Sequence, residues 1–341
     1  MIYDQEAKAN GNHAILLYRG RREYVAACAQ YVKDGIADDA AILVAATRGH
    51  LDSLRSELSL ADGDALACEL TSDDADPGRV LSLIRMFIRA NAGRPVRCVQ
   101  DVAWLARPEE YLAEAIRYES LLSLALAGLS VDVLCCYDAG RDIASLTAAE
   151  RVHPVVLDGT TRRANPAFAR SARDAQVARQ TLSRPPDDAS AVMFRSNQAE
   201  IRRFAAAQAR EAGLPASRIT DLLIAVGELA GNTLVHTSGA GTLTIWTTDE
   251  EIICQVSDSG QITDPLVGTL RPDPSEISSR RGLWLVHQVS DLVQVRTGSW
   301  GTTVRVHIRL AADGRTGPVP HESACGSGFA AGQLGGCGTA D

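Results

Sequence analysis

The first half of the chain alternates short apolar runs with longer amphipathic segments. Predicted strands lie at residues 13–18, 40–46, 65–71, 96–102, 130–138 and 153–158. The first four segments between them, such as RREYVAACAQYVKDG (21–35), have the apolar spacing of helices that cover one face of a sheet. Continuous apolar strands separated by such helices are typical of a mainly parallel sheet that is buried on both faces. The pattern therefore predicts an α/β domain over residues 11–165.

A second pattern begins after residue 165. Residues 166–190 have little strand character and end in the polar sequence RPPDDAS, which indicates a linker. From 191 to 310, a short strand near 191–194 and two long helical segments precede strand patterns that begin near residue 241. Helices followed by antiparallel strands predict an α+β two-layer sandwich. The last segment, 311–341, is rich in Gly, Ala and Ser, and we expect it to be a disordered tail.

Composition and charge narrow the functional classes. The 341 residues carry a formal charge of −8 and have a pI near 5.4, which argues against a general electrostatic grip on nucleic acid. The sequence has no apolar run of the roughly 20 residues that span a bilayer and no signal-peptide pattern at its N-terminus. The eight cysteines lack CxxC spacing, which favours buried thiols. We expect a cytoplasmic protein that binds neither nucleic acid nor membrane.

One predicted helix carries a polar stripe beside its apolar residues. In GELAGNTLVH (227–236), Glu228, Asn232 and His236 recur every four residues, a spacing that places them on one slowly winding face of a helix. A solvated helix face would give the same stripe, so the stripe alone does not indicate a site.

Three further motifs follow this helix in the chain. VSDSGQ places Asp258 and Gly260 at the end of a predicted strand, and RRGLWLVHQVSD opens a helix at Gly282. GSWGTTVRV places Gly301 and Thr302 before the last strand. Each motif is weak by itself, but the four motifs in this order and spacing are specific.

Residues 195–310, which contain these motifs, resemble the GHKL (Bergerat) ATP-binding domain of histidine kinases, gyrase-type topoisomerases and bacterial anti-sigma-factor serine kinases. The last group, common in actinobacteria, is resembled most. The resemblance implies ATP and Mg²⁺ as cofactors, with Glu228 as the catalytic base and Asn232 as a nucleotide contact and the Mg²⁺ ligand, since amide oxygens suit this hard cation. The other nucleotide contacts that it implies are Asp258, Gly260, Arg281, Gly282, Leu283, Gly301 and Thr302.

The sequence departs from the family pattern at two positions. Ile262 stands where a second glycine is common, and Arg280 takes the first place of the usual Gly-x-Gly. Residues 159–200 contain no histidine, which argues against the usual histidine autophosphorylation. The resemblance therefore implies a kinase for Ser or Thr of an anti-sigma-factor antagonist in transcription control. The alternative is an inactive ATP-binding switch that sequesters a sigma factor or antagonist, and a homodimer is compatible with both.

The first domain looks P-loop-like but has no P-loop. A P-loop needs Gly-x-x-x-x-Gly-Lys before a helix, and YRGRREY after the first strand contains no lysine. Residues 11–165 instead resemble the MEDS family, a DcmR-type sensory domain of methanogens, methylotrophs and actinobacteria. The similarity lies in HAILLYRGRREYVAACAQYVKDGI, in RYESLLSLALAG with VLCCYDA, and in HPVVLDG. It implies that this domain senses a small organic ligand.

The candidates for a sensory pocket are polar residues at strand or helix ends, where α/β sheets tend to bind ligands. They are His13, Tyr18, Glu119, Tyr137 and His153. One alternative is that the two histidines only satisfy strand ends. Another is a metal or haem site that combines Cys135 with either histidine, which is disfavoured because thiols in strands are usually structural.

Overall fold

The computed structural model describes two sheets, each with helices packed against it. The described residues are 12–58, 65–70, 76–101, 109–140, 143–169, 182–196, 198–237, 239–271 and 281–310. Arg280 and the predicted tail at 311–341 lie outside these ranges. Within them, no helix combines the length and the apolar character that crossing a membrane requires.

The N-terminal sheet has seven strands. They are β1 (Asn12–Tyr18), β2 (Ala41–Ala46), β3 (Leu66–Glu69), β4 (Val96–Asp101), β5 (Val131–Asp138), β6 (Val155–Asp158) and β7 (Thr161–Ala164). Their spatial order is β3-β2-β4-β5-β1-β6-β7. All neighbouring strands run parallel except β6 and β7, which form an antiparallel pair. The predicted mainly parallel sheet is confirmed.

Helices cover both faces of this sheet. They are α1 (Gly20–Ala37), α2 (Arg48–Leu58), α3 (Pro77–Ala90), α4 (Glu109–Ala125) and α5 (Ile143–Val152). Successive side chains of a strand point to opposite faces, and β1 shows this directly. Ile15 belongs to the core under α3 and α4, whereas Ala14 and Leu16 belong to the core under α1 and α2. The continuous apolar runs in the sequence reflect this burial on two sides.

The C-terminal sheet is antiparallel throughout. Its strands are β8 (Ser190–Phe194), β9 (Gly241–Thr247), β10 (Glu251–Asp258), β11 (Leu292–Gly298) and β12 (Gly301–Arg309), and its helices are α6 (Gln198–Glu211), α7 (Ala216–His236) and α8 (Arg281–Val289). The strand order is β11-β12-β10-β9-β8. Leu222 and Val226 of α7 and Val286 of α8 share one core with the strands, which confirms the two-layer sandwich.

Two elements are absent from the sequence prediction. Helix α5 is only 10 residues long, which is too short for apolar periodicity to indicate a helix clearly. All four residues of β7, TRRA, are exposed, because β7 lies at the sheet edge and buries no side chain. Apolar periodicity cannot reveal such a strand.

The two sheets meet through helices α3 and α4 of the first and through α8 and the β11–β12 hairpin of the second. Arg79 donates hydrogen bonds to the main-chain carbonyls of His287, at 2.7 Å, and of Ser290. Glu114 accepts from Arg296 at 2.6 Å, and both side chains are buried. A buried charged pair of this kind needs both partners in place, which fixes how the two surfaces meet.

The imidazole of His287, on α8, lies at the centre of this contact. Its Nδ1 is hydrogen-bonded to the Asp76 carboxylate, and its Nε2 is 3.2 Å from the hydroxyl of Tyr118. One turn earlier in α8, Trp284 Nε1 donates to Ser82 Oγ at 3.1 Å. Helix α8 is therefore held by the N-terminal domain on one side and by its own sheet on the other.

Candidate active site

Helix α7 presents Glu228 and Asn232 toward the first turn of α8. The region bounded by these two side chains, Gly282 and Asp258 is called the cleft. Leu222, Val226 and Leu229 of the same helix are buried against the sheet, which leaves the polar stripe on the adjoining face. Glu228 and Asn232 are half-buried. To the extent the chain is described, neither side chain takes part in a hydrogen bond or an ion pair, so both remain available to a ligand.

The first turn of α8 lies directly against these two side chains. A Cβ atom added to Gly282 would stand 2.9 Å from Glu228 Oε2 and 3.1 Å from Asn232 Nδ2. The first distance is shorter than real Cβ contacts and the second is tight, so any side chain at position 282 would displace the ends of Glu228 and Asn232. The start of a helix presents free N–H groups and the positive end of its dipole. The cleft thus combines a carboxylate, an amide and an anion-attracting helix end.

Asp258 marks the other end of the cleft, at the last residue of β10. Its Oδ2 accepts a hydrogen bond from Thr233 Oγ1 of α7 at 2.6 Å, and its Oδ1 accepts from Gly260 N at 2.8 Å. Thr302 Oγ1 donates to the Gly260 carbonyl at 2.9 Å. Asp258 is half-buried and remains reachable from solvent.

A glycine at position 301 is required where β12 begins beside β10. Gly301 has a φ of 122°, and a Cβ atom there would collide with the main-chain carbonyl of Asp258. Thr302 pairs with Asp258 across the two strands. The Gly-Thr motif therefore lets the strand approach Asp258 closely and brings the threonine hydroxyl to the Asp-x-Gly turn.

The remaining predicted contacts lie around α8. Leu283 is buried and packs on Gly268, and Arg281 is the first residue of the helix, with only its backbone described. His236 is exposed at the end of α7. Ile262 is half-buried against the core, and its N–H donates to Thr297 Oγ1 at 3.0 Å.

The donor set fits Mg²⁺ and a nucleotide. An amide oxygen and a carboxylate are ligands for a hard cation, and the glycine-lined start of α8 leaves room where any side chain would fill the cleft. Sequence reasoning missed Thr233, whose hydroxyl holds Asp258. The feature of the sequence that could have indicated Thr233 is its position in α7, directly after Asn232.

The structure gathers four of the five sensory candidates into one cluster beneath α4. His13, Glu119, Tyr137 and His153 are buried together, with the two imidazole centroids 4.2 Å apart. Tyr18 lies on the opposite face of the sheet, where its ring contacts Tyr24 and His50. Residues 13 and 18 lie an odd number of positions apart on one strand, which puts their side chains on different faces.

Three further residues complete this cluster: Cys135, which the sequence indicated only as part of a disfavoured metal or haem site, and Gln100 and Ser123, which it did not indicate. Cys135 Sγ lies 3.1 Å from His13 Nε2, Gln100 Nε2 donates to Glu119 Oε1 at 2.9 Å, and Ser123 Oγ is 2.7 Å from His13 Nδ1. Ser123 follows Glu119 by four residues on α4, the helical spacing that places both on one face.

Burial and close contact shift the pKa values of the ionisable groups in this cluster. Burial raises the pKa of Glu119, but the adjacent imidazoles of His13 and His153 outweigh burial and hold that pKa well below its ordinary value. Burial and the neighbouring Glu119 carboxylate raise the pKa values of Cys135 and Tyr137. A carboxylate therefore carries the negative charge of the cluster.

Comparisons with known proteins find two family matches in separate parts of the chain. Residues 12–154 match the family described as MEthanogen/methylotroph, DcmR Sensory domain (MEDS), and residues 195–308 match the Histidine kinase-like ATPase domain. No curated protein matches the chain.

Among solved structures, the chain is similar to the RsbU and RsbW domains of a Mycobacterium tuberculosis protein. The identity is 18%, the TM-score is 0.28, and the match covers 37% of this chain and 34% of that one. The matched region thus spans about a third of that protein's length. From the two family matches, the chain joins an N-terminal MEDS domain to a C-terminal histidine kinase-like ATPase domain.

Proposed function

We propose that the chain is a cytoplasmic sensory regulator that uses ATP to phosphorylate a Ser or Thr of an anti-sigma-factor antagonist. One observation carries the proposal: Gly282 lies against Glu228 and Asn232 inside a domain that matches histidine kinase-like ATPases. The choice of partner comes from the motifs, which resemble those of anti-sigma-factor serine kinases.

The side chains of the cleft have distinct roles in this proposal. The Asn232 amide oxygen would hold Mg²⁺, which, when bound, neutralises charge on the phosphates. Glu228, one turn away, would accept the proton of the incoming hydroxyl. Asp258, positioned by Thr233 and Gly260, would accept a hydrogen bond from the adenine amino group.

The N-terminal domain would control this cleft through helix α8. Gly282 lies in the first turn of this helix beside Glu228, and His287, further along it, is hydrogen-bonded to Asp76 of the N-terminal domain. A small organic ligand that binds the N-terminal domain would shift α8 only if the ligand binds more tightly to the protein with the helix in one position than in another.

The direct test is transfer of radiolabelled phosphate from ATP to candidate antagonist proteins. We expect the full-length chain to label a Ser or Thr, and Glu228→Gln to lose that activity while it still binds ATP. Glu211→Gln, an exposed carboxylate on α6, serves as the matched control and should retain activity. Absence of transfer to every antagonist by the wild-type protein would contradict the kinase proposal.

A second candidate function is that of a nucleotide switch without phosphoryl transfer. Ile262 favours it, because its N–H bond to Thr297 and its packing anchor the loop where the family often has a glycine. Calorimetry that shows ATP binding without turnover would support the switch. If Asp258→Asn binds ATP as tightly as the wild-type protein, both candidate functions fail.

A further inference from the structure

Four potential metal ligands converge in the core of the N-terminal domain. They are His13 on β1, Glu119 on α4, Cys135 on β5 and His153 after α5, and one donor atom from each lies within 4.8 Å of the others. All four side chains are buried, none more than 2% exposed. Since four separate elements supply them, the fold itself assembles the group.

The distances between the ligand atoms are close to those of a tetrahedral metal site. Tetrahedral zinc, with bonds of about 2.0–2.3 Å, holds its ligand atoms about 3.3–3.8 Å apart. Here His13 Nε2 lies 3.0 Å from Glu119 Oε2 and 3.1 Å from Cys135 Sγ, and Cys135 Sγ lies 3.2 Å from Glu119 Oε2. His153 Nε2 lies 3.6 Å from the same carboxylate oxygen. The His153–Glu119 distance is already within the zinc range, and small separations of His13, Cys135 and Glu119 would bring the three shorter distances into it.

Outer contacts orient both imidazoles toward the centre. His153 Nδ1 donates to the Ala149 carbonyl at 2.7 Å, and His13 Nδ1 is 2.7 Å from Ser123 Oγ. Metal-binding histidines are held in this way, with the second ring nitrogen bonded to an outer group. Each imidazole therefore directs Nε2 at the cluster.

The carboxylate is oriented in the same manner. Glu119 Oε1 accepts hydrogen bonds from Gln100 Nε2, at 2.9 Å, and from the Tyr137 hydroxyl, at 3.2 Å. These two donors occupy one oxygen and leave Oε2 facing His13, Cys135 and His153. The outer shell thus selects one oxygen for the centre.

One buried nitrogen at the centre makes no hydrogen bond to the described residues, and Glu119 Oε2 lies 3.6 Å from it. His153 Nε2 is buried without a hydrogen bond, although its own Nδ1–H is satisfied by a carbonyl. Unsatisfied buried polar atoms are uncommon because they forfeit solvation. A cation at the centre would supply the missing partner.

We propose that His13, Glu119, Cys135 and His153 bind one divalent transition-metal ion of borderline softness, for which zinc is the probe. Two imidazoles and a thiolate favour such an ion over Mg²⁺ or Ca²⁺. On binding, the Cys135 thiol releases its proton to solvent. The thiolate and the carboxylate then carry two negative charges that the ion balances. Four protein ligands close the coordination sphere, which is typical of a non-catalytic site.

The test measures metal in the purified full-length chain and its zinc affinity by competition with a chelator. We expect one zinc per chain. Cys135→Ser should weaken affinity by at least ~100-fold, since loss of a mere outer-shell contact costs about 10–100-fold. Ser123→Ala, which removes such a contact, should fall within that outer-shell range. Cys136→Ser is the matched control, because Cys136 lies on the opposite sheet face beside Cys28 and should bind zinc like the wild type.

The visible spectrum of bound Co²⁺ reports which side chains bind the metal. It therefore distinguishes the loss of a ligand from a general structural effect of the same substitution. The wild-type protein and Cys136→Ser should show the intense visible bands of tetrahedral cobalt and a thiolate charge-transfer band. Cys135→Ser, if folded by circular dichroism, should lose the charge-transfer band, and His153→Gln should lose tetrahedral intensity. A folded wild-type protein that neither contains nor takes up zinc or cobalt would overturn the proposal and leave a hydrogen-bonded network.

Discussion

Gly78 and His287 lie in contact across the boundary between the two domains. A Cβ atom added to Gly78 would stand 2.5 Å from His287 Nδ1 and 2.7 Å from its Cε1. Gly78 is in the first turn of α3, and its N–H donates to Asp76, the residue whose carboxylate also bonds His287. Because position 78 has no side chain, the first turn of α3 can pack directly against the imidazole of His287.

Gly78→Ala should loosen this contact. The added methyl group has no space beside His287, and overpacking of this kind costs about 1–3 kcal/mol. We expect a corresponding decrease in the free energy of unfolding, measured by urea denaturation. Gly49→Ala provides the control, because position 49 is helical and has no neighbour within 4 Å of a new Cβ. It should be neutral or stabilising, and equal losses in both variants would contradict the prediction.

Gly282→Ala should weaken nucleotide binding. Its methyl group would occupy space in the cleft and displace the side-chain ends of Glu228 and Asn232, the two groups proposed to act on Mg-ATP. A loss of about 1.4 kcal/mol corresponds to a tenfold lower affinity. We expect a decrease of about tenfold or more in calorimetric titration with Mg-ATP. At Gly231, in the same helix as Asn232, a methyl group would meet only the flexible Gln198 side chain. Gly231→Ala should keep its affinity, and a similar loss there would rule out this explanation.

Removal of Glu114 should be strongly destabilising. Its carboxylate accepts hydrogen bonds from Arg296 and from Arg117 at 3.1 Å, and all three side chains are buried. Glu114→Ala would leave buried guanidinium groups without their partner, which costs about 3–5 kcal/mol of unfolding free energy. The exposed pair of Arg163 and Asp158 is the comparison, and Asp158→Ala should cost about 1 kcal/mol or less. Denaturation of both variants checks the difference.

Stability should decline in acid through Glu251. Burial raises the pKa of Glu251, but the hydrogen bond and charge of His307, with the Tyr111 hydroxyl, lower it below its ordinary value of 4.5. Because the unfolded state then binds the proton more tightly, this carboxylate stabilises the fold above pH 4.5, and the contribution is lost as the pH falls through the lower, folded-state pKa. Glu251→Gln should flatten that decline in unfolding free energy, whereas Glu250→Gln, at an exposed position, should follow the wild type.

The sequence carried enough information for the two sheets and for the motif residues of the cleft. Helix periodicity places Glu228 and Asn232 on one face of α7, and the order of motifs, through its resemblance to a known domain family, indicates that the helix with Gly282 lies beside them. The alternation of side chains along β1 also places Tyr18 and His13 on opposite faces of the sheet. These features depend on spacing within one element or on a recurrent order of motifs.

The contact between the domains could not be predicted in this way. Asp76 and His287 are far apart in the chain, and neither residue has a neighbour in sequence that indicates its partner. The same holds for Cys135, which in a strand pattern resembles any buried thiol. Only the packing of α4 on β5 shows that Cys135 faces Glu119 and that Cys136 does not.

Helix α4 carries two adjacent residues with different attachments. Tyr118 contacts His287 on the ATPase domain, and Glu119 enters the buried group with His13 and Cys135. Because one peptide bond joins these residues, a rotation or slide of the helix that repositions Glu119 must carry the phenol ring with it. A metal ion or ligand that moves the Glu119 carboxylate would therefore also move Tyr118 and its contact with His287 on the ATPase domain.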